Sequence, residues 1–195
     1  MTRITCVSGA LAASLAAAAN AAIVTTSSQA AFNAIAASRG YSQTASFSSF
    51  AATSGGSAWN AWDAMSTGGA EPFGGMLRSS FPDEALTINF GSGMVYAVGG
   101  TFFNTSTDGQ VMVGSLIEIT LADGSSYVSS SSASNFAGFI STTGAITSIR
   151  IAPAYNGPDD LPHASVGSLV VAGVPAPGSV ALLGAAGLIA RRRRR

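Results

Sequence analysis

Apolar side chains recur at every second position in several short runs of this chain, and that spacing restricts its fold more than any other feature. Leu86-Thr87-Ile88-Asn89-Phe90 alternates apolar with polar, as does Ile117-Glu118-Ile119-Thr120-Leu121. Successive side chains of a strand point to opposite faces, so such runs carry one apolar and one polar face. Val111-Met112-Val113, Phe136 to Ile140, Ile146 to Ile151 and Leu169 to Val171 extend the series. Asp108-Gly109 and Asp123-Gly124 place turn signals among them. The pattern predicts an all-β fold, an antiparallel β-sandwich of jelly-roll-like form. The strand–helix alternation of a parallel α/β sheet is missing.

Two regions read differently. In residues 27–37, Phe32 and Ile35 fall three apart in an Ala-rich setting, with Ser27 or Ser28 available as cap, which predicts a short N-terminal helix. Residues 49–80 are less regular, with Gly-Gly pairs at 55–56, 68–69 and 74–75. Trp59 and Trp62 are spaced as on one helical turn or a packed loop. The serines at 125–126 and 129–132 suit an exposed edge strand or loop.

Charge then narrows the partners. Only 9% of the 195 residues are charged and none is Lys, against about 25% charged in an average soluble chain. Five of the nine arginines occupy the last five positions. Between the ends, Arg39, Arg78 and Arg150 face nine carboxylates, a net of about −6. Nucleic acid is excluded as a partner, because its phosphates need Lys and Arg to neutralise them. Cys6 is the single cysteine, so the region beyond it must be held by its hydrophobic core rather than by disulfides.

Cys6 lies in a segment built like an export signal. Met1-Thr2-Arg3 is a short positive start, Ile4 to Ala19 carries no charge, and Ala19 and Ala21 supply small residues at the −3 and −1 positions. That order predicts a signal peptide over residues 1–21, cut by signal peptidase after Ala21. Residues 22–172 are then the extracytoplasmic domain and residues 173–195 a separate C-terminal segment.

The C-terminal segment has three parts. Val174-Pro175-Ala176-Pro177-Gly178 stays extended, because proline fixes φ and removes a backbone donor. Ser179 to Ala190 is small or aliphatic and suits a membrane helix. Arg191, Arg192, Arg193, Arg194 and Arg195 cannot follow it across, since each arginine costs about 2.5–3.5 kcal/mol at the bilayer centre. Twelve helical residues reach only about 18 Å against a hydrocarbon core of about 30 Å. Such a tail is a poor permanent anchor and an adequate temporary stop for a membrane-embedded processing enzyme.

A short Pro-containing motif, an apolar helix and a terminal Arg cluster, in that order, resemble the PEP-CTERM tail recognised by exosortases. Ala176 stands where that family has Glu between the prolines. The resemblance implies transient residence in the inner membrane of a Gram-negative-type bacterium, processing by an exosortase-type enzyme, and delivery to the cell surface or extracellular matrix. The stretch from Val98 to Val171 also resembles the β-rich module common in exported proteins with this tail. Gly99-Gly100-Thr101-Phe102-Phe103, Ile119 to Ser125 and Phe136-Ala137-Gly138-Phe139-Ile140 carry that likeness. It implies a fold more than an activity.

Side chains able to do chemistry are few. Asn104-Thr105-Ser106-Thr107-Asp108-Gly109 opens like a calcium loop, but Ser115 stands where the bidentate Glu belongs, so a polar hairpin loop explains the same letters. Asp83-Glu84 and Asp159-Asp160 are sequence neighbours, which a strand points to opposite faces instead of pairing across a cleft. His163 is the lone histidine, open to acid/base or ligand duty but without a second histidine to complete a metal site. Trp59, Trp62, Tyr96 and Tyr127 suit a buried aromatic core, or stacking on sugar rings if they share an exposed face. The expectation is a non-enzymatic surface or matrix protein with no cofactor and no metal. The alternative is a carbohydrate-binding module with polysaccharide as partner.

Overall fold

The computed structural model describes residues 23–154 and 161–174. Thirteen strands and one helix occur among them. In chain order they are β1 (Ile23–Thr26), α1 (Gln29–Ser38), β2 (Gln43–Phe47), β3 (Ser54–Gly55), β4 (Trp62–Met65), β5 (Ala70–Phe73), β6 (Met76–Ser79) and β7 (Leu86–Phe90). Then follow β8 (Val95–Thr105), β9 (Leu116–Leu121), β10 (Ser126–Ser130), β11 (Phe136–Ser141), β12 (Ser148–Pro153) and β13 (His163–Gly173). One sheet runs β1-β11-β8-β13-β6-β5, with β2 also on β13; the other runs β10-β9-β12-β7-β4-β3. Their pairings are antiparallel. The all-β sandwich is therefore present.

The second sheet is built from the alternation that marks it in the sequence. Ile149 pairs with Ile88 on one side and Leu121 on the other, and Ile151 pairs with Leu86 and Ile119. All six side chains are 4% exposed or less. They pack into one core with Val98, Phe102, Val166, Leu169 and Val171 of the first sheet. Each such burial contributes about 1.5–3 kcal/mol relative to exposure.

The first sheet is covered on both faces over part of its width. Phe32 and Ala36 of α1 pack on Ala97, Ile140, Val170 and Ala172, on the face away from the main core. Ser28 caps α1, its side chain accepting from the Ala31 N–H at 3.4 Å. Gly40, at φ 78°, ends the helix, and Tyr41 N–H bonds back to the Ala36 carbonyl.

Long β13 holds the sheet together. One of its edges pairs with β8 from His163 to Gly173, while the other is shared between β6 at Ser165–Val166 and β2 at Leu169–Gly173. The register slips between Val166 and Ser168, at Gly167, where the second edge changes partner.

Two expectations are corrected. Val111-Met112-Val113 is not a strand: Val111 makes a single bridge to Thr105, the chain turns, and Val113 is 80% exposed. Residues 49–80 are more regular than their composition implies, because they hold β3 to β6. No helix of the described residues is long and apolar enough to cross a membrane. The expected signal peptide with Ala19 and Ala21, the membrane segment, the sorting motif from Pro175 to Gly178 and Arg191 to Arg195 lie outside the described residues; Val174 is exposed just after β13.

Candidate functional site

The two sheets part at one lateral edge. There β1 and β11 of the first sheet face β9 and β10 of the second across a cleft of about 440 Å³. Thr25 pairs with Phe139 and so projects inward with it. Tyr127 pairs with Ile119 and Ser129 with Ile117, both core residues, so both project inward from the facing edge. Packed sheets stand about 10 Å apart. Short side chains at Thr25 and Ser129 cannot fill that gap, and an open groove results.

Its floor and rim are aromatic and hydroxylic. The Tyr127 ring lies 4.8 Å from that of Phe139, tilted by 45°. Phe136 borders the cleft from β11, but its ring turns to the helix-covered face, where it meets Phe32 edge-on at 5.7 Å. Ser27, where the chain turns from β1 into α1, also lines the cleft. The Thr25, Ser27 and Tyr127 hydroxyls make no hydrogen bond among the described residues, whereas Thr26 is engaged with Ser28. Burial pushes the Tyr127 phenol above its ordinary value of 10.0, with the Asp123 carboxylate adding to the effect. Tyr127 is therefore a neutral hydrogen-bonding group at neutral pH.

Of the chemistry-bearing residues expected from sequence, His163, Glu84 and Asp108 lie away from the cleft and are engaged within the fold. His163 is 3% exposed, and its Nδ1–H donates to the Ser79 carbonyl at 2.7 Å. Its Nε2 is buried without a partner among the described residues. Next to it on the same strand face, the Ser165 hydroxyl shares a 2.8 Å hydrogen bond with Thr105. Glu84 accepts from the Ser66 hydroxyl and the Gly68 N–H, and these bonds, Ser66 first, lower its pKa. Asp83 sits beside it in the left-handed region at φ 60°, its N–H on the Pro162 carbonyl. Asp159 and Asp160 lie outside the described residues.

The stretch 104–109 is not one loop. Asn104 and Thr105 end β8 fully buried, and the Asn104 amide donates to Ser115 Oγ at 3.0 Å and the Leu116 carbonyl at 2.9 Å. Asp108 is held by Ser106 at the turn, which lowers its pKa. Among the described residues no cluster of three or more His, Cys, Asp or Glu side chains forms a metal site.

The four aromatics singled out by sequence do not share an exposed face. Trp62 is 6% exposed in the main core, and Trp59 packs against that core. Tyr96 joins the helix-covered cluster against Tyr41 at 5.4 Å. Tyr127 alone lines the cleft. Thr25 and Ser27 escaped the sequence reading, and Ser129 was read only as part of an exposed edge strand or loop. For Ser129 the signal existed: period two in β10 puts it on the face of Tyr127.

No family model matches the chain, and no curated protein does. Among solved structures it is similar to a family two carbohydrate esterase from Cellvibrio japonicus, at 10% identity and a TM-score of 0.36. The match covers 69% of this chain and 36% of that one, so the chain spans about a third of the esterase's length. Nothing about activity follows from so distant a likeness.

Proposed function

We propose that this chain is an exported, non-enzymatic surface or matrix protein, a β-sandwich delivered through its two terminal segments. In this reading signal peptidase cuts after Ala21, and an exosortase-type enzyme handles the tail from Val174 to Arg195. The jelly-roll-like character of the sandwich and the flanking membrane helices belong to the same proposal.

One topological observation carries it. Val24 pairs with Ile140, Ile140 with Ala97, and Ala97 with Ala172. The first and last strands of the domain thus share one cross-strand row at the same end of the sheet. Three strand spacings separate them, about 14 Å. Because β1 and β13 run in opposite directions, the chain enters and leaves the domain at that end. A domain with both termini side by side can be held at a membrane by either terminal segment, with its other end pointing away. The use of His163, Glu84 and Arg78 in internal contacts further supports a structural role.

Pulse-labelling with cell fractionation tests the proposal. Mature protein should begin at Ala22 and pass through the inner membrane, and replacing Arg191 to Arg195 with Ala should impair its retention there. Recovery of the uncut chain from the cytosol would overturn it. A second reading, carbohydrate binding, is favoured by the cleft at Tyr127.

A further inference from the structure

We infer that the lateral cleft between β1/β11 and β9/β10 binds one or two residues of a neutral saccharide. This deepens the carbohydrate-binding reading and does not depend on how the chain is delivered. The volume, about 440 Å³, falls within the roughly 300–1,000 Å³ of small-ligand sites. Its lining residues are hydroxylic, aromatic or aliphatic, and none is charged. A pyranose matches that chemistry, with a C–H face for the Tyr127 ring and hydroxyls for Thr25, Ser27 and Ser129. An anionic sugar would find no cation in the lining and would sit near Asp123, whose carboxylate already acts on Tyr127.

The location supports the same occupant. The groove lies at the lateral edge of the sandwich and opens to solvent, so one unit of a polymer can seat between the sheets while its neighbours remain outside. Its polar side chains come from two stretches of chain about a hundred residues apart, Thr25 to Ser27 at β1 and the turn into α1, and Tyr127 and Ser129 on β10. Among the described residues, the Thr25, Ser27 and Tyr127 hydroxyls have no hydrogen-bond partner.

The test is ligand-observed NMR and calorimetric titration of the full chain with cellohexaose, xylohexaose, mannohexaose and chitohexaose, and with polygalacturonate as the anionic comparison. At least one neutral oligomer should bind. Tyr127→Ala should weaken it by about tenfold or more, equivalent to about 1.4 kcal/mol. Ser129→Phe, which fills the gap, should abolish it. Thr25→Val, nearly the same shape, should weaken it about threefold with an unchanged circular dichroism spectrum, which separates lost contacts from lost folding. Trp59→Phe, away from the cleft, should leave affinity as it is. Binding by none of the neutral oligomers, binding by polygalacturonate alone, affinity indifferent to both Tyr127→Ala and Ser129→Phe, or self-association that occupies the cleft would each overturn the inference. The sorting proposal is read by fractionation and stands or falls separately.

Discussion

The Tyr41 hydroxyl donates to the Ser141 carbonyl at 2.6 Å, joining residues a hundred positions apart. Tyr41 follows α1 and Ser141 ends β11 opposite Ile23, so this bond ties the helix layer to the end of the first sheet where β1 begins. Both residues are nearly buried. Tyr41→Phe keeps the ring contact with Tyr96 and leaves the Ser141 carbonyl without this donor. The expected loss is about 1–2 kcal/mol, a fall in Tm of about 2–8 °C. Burial also raises the Tyr41 pKa above 10.0. Its contribution is complete below that value and is lost as pH rises through the folded pKa, because the unfolded chain ionises first. Urea midpoints from neutral to strongly alkaline pH should therefore fall more steeply in the wild type than in Tyr41→Phe. Parallel slopes would count against this account.

Arg78 presents a second test. It is 7% exposed, its guanidinium lies 3.7 Å over the Phe73 ring, its Nε and Nη2 each reach Glu71 Oε1 at 2.8 Å, and its Nη1 donates to the Thr107 carbonyl at 3.1 Å. Glu71 keeps 40% of its side chain in solvent, so the pair is only half desolvated. Glu71→Gln should cost about 1–2 kcal/mol, below the 3–5 kcal/mol of a fully buried pair. Adding Arg78→Met should recover part of that loss, because the buried cation goes with its partner. A double-mutant cycle by chemical denaturation reads this directly, and strict additivity would refute the coupling.

The acid limb of stability should depend on Glu84. Hydrogen bonds from Ser66 and the Gly68 N–H hold its pKa below the ordinary 4.5. A carboxylate with a lowered folded pKa contributes above its unfolded value, and that contribution disappears as pH falls through the folded one. Glu84→Gln should flatten the decline in urea midpoint below about pH 4.5. Asp108, lowered by Ser106, leaves a residual slope in the variant. An acid limb unchanged in Glu84→Gln would remove Glu84 from the explanation.

Where one face of a strand is buried and the other wet, the fold was legible beforehand. β7 keeps the burial alternation that its letters announce, and so does β9 from Ile117 to Leu121. Alternation fails for β8 and β13, which are covered on both faces over much of their length, so apolar letters run together and hide strand length. The Gly-Gly pair at 74–75 looked like irregularity, yet both residues have positive φ and form the two-residue tip of the β5–β6 hairpin. Flanking Phe73 and Met76 would have been the clue. The cleft was less legible still. Tyr127 was visible as an aromatic and period two puts Ser129 on its face, but Thr25 and Ser129 line one cleft only because two sheet edges far apart in sequence face one another, which the letters of neither strand record.

Gly100 tests the close approach of β8 to β13. A Cβ built there would lie 2.2 Å from the Ser168 carbonyl oxygen, a backbone atom beside the register slip at Gly167. The neighbouring strand would have to move. Gly100→Ala should destabilise by about 1–3 kcal/mol, near the upper end, through overpacking. Gly91→Ala, with nothing within 4 Å of the new carbon, is the control and should be nearly neutral. Equal stability of the two variants would contradict the packing.

If both termini hold the domain at the membrane, its two ends should differ in accessibility. The turn at Asp123-Gly124 is at the tethered end, because Asp123 and Leu121 line the same small cavity as Ile23 and Ser141. The loop between β10 and β11 is at the opposite end: Ser131 beside it accepts from Asn104 N–H through Oγ at 2.8 Å, near the far terminus of β8. Ala133 and Ser134 are exposed there, and Gly124 is exposed with open space around it, so both places accept an inserted peptide tag. On spheroplasts carrying the membrane-held chain, a tag between Ala133 and Ser134 should bind antibody more readily than one between Gly124 and Ser125. Once the protein is released, the two should bind alike. Equal labelling before release, or stronger labelling of the tag at Gly124, would mean that the sandwich is not held by the end where its first and last strands lie together.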